Sequence, residues 1–253
     1  MKKAAIVGFG RFGELLASLG KSSFDLYIVE NNPEKAKAAR AQGHTVIPFE
    51  RVADADFVFL AVPISEIEQT LVTLAPLVDQ HHVVMDLCSV KVHPTKLMQK
   101  HLTNSQILGT HPMFGPDSAK RGLKGLQVAI CPLRVEPENL KIVTDFWAGH
   151  GLDVIETTPE AHDKDSVYSQ AFTYSLAKII LNMNLPNITF KTRSFNDLTE
   201  IAALSANDTE QLFHDMLFYN PYFSDMKAEL QAAIAKTNVI LARVEAEQAK
   251  NKP

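Results

Sequence analysis

The stretch Gly109-Thr110-His111-Pro112-Met113-Phe114-Gly115-Pro116-Asp117-Ser118 sets one titratable imidazole between a short apolar run, Gln106-Ile107-Leu108, and a Gly-Pro turn signal. Pro112 disfavours helix at His111. The spacing predicts an imidazole on a stiff loop at the carboxyl end of a strand, where open α/β sheets place their ligands. Such a group exchanges protons near neutrality, because its unperturbed pKa is about 6.5. Upstream, Asp86-Leu87-Cys88-Ser89-Val90-Lys91 brings a hydroxyl and an ammonium to the mouth of the preceding strand. Ser89 reads first as a helix N-cap; it can also hydrogen-bond His111 and fix its tautomer. Lys91 has the character of a surface charge, with an anion contact open to it from this position.

A second constellation lies near the start. Ala4-Ala5-Ile6-Val7 is an apolar run, Gly8-Phe9-Gly10-Arg11-Phe12-Gly13 follows at once, and Glu14 to Leu19 reads as helix. A further apolar run, Leu26 to Val29, ends at Glu30. In this strand–GxGxxG–helix–strand–acid order, Gly8 permits a tight turn, Gly10 lets the backbone approach a pyrophosphate, and Gly13 lets the helix pack on the strand. The helix N-terminus offers free N–H groups to the phosphates, and Glu30 is spaced to accept from a ribose 2′-hydroxyl. The expected ligand is a dinucleotide, NAD rather than NADP, because a carboxylate repels a 2′-phosphate. Ala61-Val62-Pro63-Ile64, at the mouth of another apolar run, is placed beside the adenosine side.

The elements that must position these residues alternate. Segments 45–47, 57–62 (a continuous apolar run), 83–87, 106–108, 127–131 and 152–155 read as strands, the fifth bounded by Pro132. Segments 33–42, 67–77, 94–102 and 138–147 read as helices. That alternation predicts an α/β fold with a parallel, doubly wound sheet. From Pro159 onward helical periodicity dominates, so the expected division is residues 1–157 for dinucleotide binding and 158–253 for a helical substrate and dimerisation domain. Met226, Leu230, Ile234 and Leu241 form an apolar stripe on the last helix, read as core or the seam of a homodimer.

Bulk properties narrow the function classes. A net charge of −4 over 253 residues provides no electrostatic footprint for nucleic acid. No apolar run reaches the roughly 18 residues that a membrane span needs. The two cysteines, Cys88 and Cys131, lack the spacing of a zinc site or disulfide framework and suit a reducing cytoplasm.

The run from Gly109 to Pro116, with Asp86 to Lys91 upstream, resembles the prephenate/arogenate dehydrogenase family of tyrosine biosynthesis. His162-Asp163, Ser169-Gln170 and Leu217-Phe218-Tyr219-Asn220 extend the resemblance over almost the whole chain, nearest to the plant-type arogenate enzymes. The resemblance implies a Rossmann domain followed by an all-α dimerisation domain. It implies oxidative decarboxylation of a cyclohexadienol, the hydride passing from ring C4 to NAD+ while the ring carboxylate leaves as CO2. His111 is then the base or hydrogen-bond partner of the C4 hydroxyl, held by Ser89. Cofactor contacts fall to Gly8, Phe9, Gly10, Arg11, Phe12, Gly13, Glu30, Val62 and Pro63. Substrate contacts fall to Lys91, Gln170, Tyr174, Arg193 and Glu200, and no metal is called for. One position departs from the family: where many members carry a carboxylate-gripping arginine, this sequence has Glu200, which favours the ammonium of arogenate over the pyruvyl group of prephenate. Arg193, Lys120 and Arg121 are the cations that can replace that arginine. Two rival readings remain: another Rossmann-plus-helical dehydrogenase, of hydroxyacid or imine type, and a dinucleotide-binding sensor without activity.

Overall fold

The computed structural model describes residues 1–251, and at Leu204 the backbone alone. Among the described residues eight strands form one sheet: β1 (Lys3–Val7), β2 (Asp25–Val29), β3 (Thr45–Val46), β4 (Phe57–Leu60), β5 (Val83–Asp86), β6 (Gln106–Pro112), β7 (Gln127–Arg134) and β8 (Asp153–Glu156). Their order is β3-β2-β1-β4-β5-β6-β7-β8. Between them lie α1 (Arg11–Gly20), α2 (Pro33–Ala41), α3 (Ile67–Leu74), α4 (Val92–His101), α5 (Pro116–Ala119) and α6 (Pro137–Gly149).

The central strands are buried on both faces, which is why they read as continuous apolar runs. On β1, Ala4 and Ile6 face a core built with Leu16, Phe24, Phe146 and Trp147. Ala5 and Val7 face the opposite core, with Leu71, Leu74 and Met98. Burying a leucine or phenylalanine fully contributes about 1.5–3 kcal/mol, so helices on both faces are needed to hold this sheet. The α/β, doubly wound expectation is met.

Two details differ from it. The sheet is not parallel throughout, since β6 and β7 pair antiparallel. And β6 continues through His111 to Pro112, so the imidazole stands on a strand rather than a loop. The X-Pro restriction only demanded extended backbone at His111, which a strand satisfies. Pro132 likewise lies inside β7 instead of ending it. It faces Leu108 at a register shift between Ile107 and Leu108, the kind of irregularity where a proline is tolerated in a sheet.

Beyond Glu156 the chain is helical: α7 (Pro159–Ser166), a π-helical segment (Val167–Phe172), α8 (Thr173–Asn182), α9 (Arg193–Ala206), α10 (Glu210–Phe218) and α11 (Phe223–Lys250). Thr158, Thr192 and Thr209 cap α7, α9 and α10 with their hydroxyls, an arrangement that satisfies an otherwise orphaned N–H at each start. A small core of Val167, Ala171, Met216 and Met226 joins α10 and α11 to the π segment. Most of α11 is exposed, including Ile234, Val239, Ile240, Leu241 and Val244. Among the described residues no helix is long and apolar enough to cross a membrane.

Candidate active site

The strand order reverses between β1 and β4, the switch point where such sheets form a crevice at their carboxyl ends. The glycine loop fills its floor. Gly8 has φ +100°, and a Cβ there would stand 2.5 Å from the Ala61 carbonyl oxygen and 3.4 Å from Val62. Gly13 packs against the Gly8 carbonyl so closely that no side chain fits. At Gly10, by contrast, a Cβ would meet nothing within 4 Å. That residue precedes α1, which has no side-chain cap. The N–H groups of Arg11, Phe12 and Gly13 have no acceptor among the described residues. Open space beside orphaned N–H groups at a helix N-terminus suits a pyrophosphate. Glu30, at the end of β2, reaches the same loop: its carboxylate accepts from Phe9 N at 2.7 Å and from Asn32 N at 2.7 Å. Val62 is half-buried and Pro63 exposed, both directly after β4.

The glycine loop and the His-Pro stretch are locked together. Phe12 packs on Phe114, ring centroids 6.1 Å apart, while buried Phe9 meets His44 at 5.8 Å. Arg11, read from the sequence as a cofactor contact, pairs with Asp117 and with Asp208 at 3.1 Å, and donates to the Asn207 carbonyl at 3.0 Å. Its guanidinium therefore ties the first turn of α1 to α5 and to the α9–α10 turn. Lys120 and Arg11 together hold the Asp117 carboxyl down at about 2. Tyr174, on α8, donates its hydroxyl to Asp208; its burial and that carboxylate raise the phenol's pKa.

His111 is buried, at 3% exposure. Its Nδ1 lies 2.8 Å from His162 Nε2, and His162 Nδ1 lies 2.8 Å from Asp163 Oδ1. The Asp163 carboxylate also accepts from Lys91 N at 2.6 Å and Val92 N at 2.8 Å, so it caps the N-terminus of α4. Asn220 Nδ2 donates to the Asp163 carbonyl at 3.0 Å. Burial above all, with the Lys91 ammonium nearby, pushes the His111 pKa well below its ordinary value, so this imidazole is neutral at pH 7. Neutral and buried, it offers a ring lone pair as a hydrogen-bond acceptor.

Several expected roles are revised. The partner of His111 is His162, not Ser89. Ser89 is half-buried on the turn after β5, and its hydroxyl neither bonds His111 nor caps α4 among the described residues. Capping falls to Asp163. Lys91 is neither a surface charge nor placed to grip an anion. It is fully buried, its ammonium paired with Asp86 and donating to the Thr110 carbonyl at 2.6 Å. Glu200 is exposed, and its carboxylate pairs with Arg121, so it does not stand as a lone negative charge. Arg193 is exposed at the start of α9, away from any ion pair among the described residues. Gln170 is half-buried in the π segment, its Oε1 enclosed without a hydrogen-bond partner; π bulges of this kind recur at functional sites. Sequence reasoning gave His162 no role. The signal available was a His-Asp pair just inside a helix that starts directly after the last strand.

Comparison with known proteins places this geometry. Residues 17–156, more than half of the chain, match the family described as "Prephenate dehydrogenase, nucleotide-binding domain". Arogenate dehydrogenase 1, chloroplastic, of Arabidopsis thaliana is 28% identical over 232 residues, covering 86% of this chain and 36% of that protein. Arogenate dehydrogenase 2, chloroplastic, of the same plant is 27% identical over 232 residues, covering 87% and 64%. The chain thus spans about one to two thirds of the length of these relatives. Among solved structures, prephenate dehydrogenase from Aquifex aeolicus, in complex with hydroxyphenyl propionate and NAD+, superposes with a TM-score of 0.76 at 20% identity, over 99% of this chain and 94% of that one. That likeness is one of fold. With the family match over most of the sheet, the conclusion is direct: this chain belongs to the prephenate dehydrogenase family.

Proposed function

We propose that the protein is an NAD-dependent dehydrogenase that oxidatively decarboxylates arogenate, prephenate or both, giving tyrosine or 4-hydroxyphenylpyruvate. The observation that carries the reading is the buried, neutral His111 on β6, packed through the Phe114 segment against a glycine loop with open space and orphaned N–H groups. The names of the curated relatives support the substrate class.

NAD, when bound, supplies the hydride acceptor. The glycine loop and α1 hold the pyrophosphate, and Glu30 keeps spare lone pairs for a ribose hydroxyl while excluding a 2′-phosphate. His111 Nε2 accepts the hydrogen bond of the C4 hydroxyl and draws its proton as hydride leaves that carbon. Loss of CO2 returns the electron pair to the ring, which becomes a phenol and retains the hydroxyl proton. Aromatisation drives the step, so the chain's main task is alignment.

We assign residues 1–157 to dinucleotide binding and 158–253 to substrate binding and dimerisation, with Gln170 and Tyr174 toward the substrate. Arg121 joins them as the cation nearest Glu200. The exposed apolar residues of α11 fit the seam of a homodimer, and a mass of one chain in solution would reject that part. Two buried free thiols suit a reducing cytoplasm.

NADH production from NAD with arogenate, prephenate and a 3-hydroxyacid tests the assignment. Turnover of one of the first two is expected. Turnover of the hydroxyacid alone would favour the other dehydrogenase class, and NAD binding without any turnover would favour a sensor.

A further inference from the structure

Three N–H donors converge on the Asp163 carboxylate: Lys91 N, Val92 N and His162 Nδ1. An ionised carboxylate only accepts, so a His162 that carries a single ring proton holds it on Nδ1 and presents a lone pair at Nε2. That lone pair lies 2.8 Å from His111 Nδ1 and must be met by a donor. His111 therefore holds its own proton on Nδ1 and leaves Nε2 bare. Among the described residues His111 Nε2 makes no hydrogen bond within the chain. Were the proton on His111 Nε2 instead, two lone pairs would face each other across a buried contact, which costs the desolvation of both.

We propose that His162, backed by Asp163, is the positioning residue that fixes the tautomer of His111 and shares the positive charge when its Nε2 draws a proton. This inference rests on the dehydrogenase reading for its kinetic consequence, but not for the tautomer itself. As the hydroxyl proton shifts toward His111 Nε2, the Nδ1 proton shifts toward His162 Nε2, and the growing imidazolium character is stabilised by Asp163. Both shifts reverse when the phenol keeps its proton, so no net proton leaves through the pair. The arrangement follows the logic of an acid–imidazole pair behind a reactive group, with a second imidazole inserted. It also couples the two regions of the chain. His111 belongs to the sheet, whereas His162 and Asp163 belong to the first helix after it, and Asp163 fastens that helix to the start of α4. Asn220, from the turn after α10, steadies Asp163 from the far side.

The test pairs imidazole ¹⁵N spectroscopy at neutral pH with steady-state kinetics on the full chain. It uses the wild type, His162→Phe and His162→Gln. Wild-type His111 is expected to show a protonated Nδ1 and a bare Nε2, with or without turnover of any substrate. His162→Phe should lose that bias and lower kcat at least about tenfold, with KM and NAD affinity little changed; a wrong tautomer costs up to about 10⁴ in serine hydrolases. Glutamine can accept from His111 through its amide oxygen but cannot carry charge, so His162→Gln should keep the tautomer and recover part of kcat. It also serves if the phenylalanine variant does not fold. A wild-type His111 protonated on Nε2, or a His162 variant with unchanged tautomer and unchanged kcat, would overturn the inference. An inactive wild type with the expected spectrum would instead remove only the dehydrogenase reading.

Discussion

Phe12 of the glycine loop and Phe114 of the His-Pro segment lie ring against ring, centroids 6.1 Å apart. The contact joins the two motifs to which the proposed chemistry is assigned, the glycine loop for the dinucleotide and the His-Pro segment for the reacting hydroxyl. With the Arg11–Asp117 pair beside it, it holds the glycine loop against the segment that follows His111.

The glycines of that loop should separate folding from binding. Gly8→Ala forces a side chain into positive φ and against the Ala61 carbonyl, and should cost about 1–3 kcal/mol in urea unfolding. Gly10→Ala meets open space and an ordinary backbone, φ −78° and ψ −173°. It should fold as the wild type yet bind NAD at least about tenfold more weakly, because its methyl takes room meant for the pyrophosphate. Equal loss of stability in both variants would contradict this division.

Lys91 and Asp86 form a pair with no exposure on either side chain. Lys91→Met leaves the carboxylate buried and uncompensated, and should lower stability by about 3–5 kcal/mol. The double change Asp86→Leu with Lys91→Met should regain most of that. A double variant as unstable as the single one would show that the pair is needed for more than charge balance.

The pH dependence of stability follows from His111. Its folded pKa lies well below its ordinary value because burial opposes the charge. Above about pH 6.5 neither folded nor unfolded chain binds this proton; below it the unfolded chain does and the folded chain does not. Stability should therefore fall as pH drops from about 6.5 toward the folded pKa, and His111→Asn should flatten that slope. An unchanged slope in the variant would place the titration elsewhere.

Much of this was legible beforehand. Ala4 to Val7, Leu26 to Val29 and Phe57 to Val62 could be assigned because a strand buried on both faces reads as a continuous apolar run, and the glycine loop because its geometry admits few other residues. The antiparallel pairing of β6 with β7 was not legible, since register between distant segments leaves no local mark, and His111 was accordingly set on a loop. His162 was missed as its partner because 51 residues separate the two. Lys91 misled for another reason. Lysine is seldom fully buried unless paired, and nothing local said that Asp86 would be buried with it.

Substrate preference should turn on the Arg121–Glu200 pair. Glu200→Gln removes the carboxylate that would attract the ammonium of arogenate and repel the more negative prephenate, so kcat/KM for prephenate should rise relative to arogenate, by about tenfold. A ratio unmoved in both Glu200→Gln and Arg121→Gln would remove the pair from substrate recognition.

The most direct measurement compares NADH formation by the wild type and His111→Asn, with arogenate and with prephenate, alongside NAD titrations of both proteins. Turnover by the wild type on at least one substrate is predicted, with a loss of about 10²–10⁴-fold in the variant and NAD affinity unchanged. No turnover of either substrate by an NAD-binding wild type, or a variant as fast as the wild type, would contradict the central role given to this imidazole.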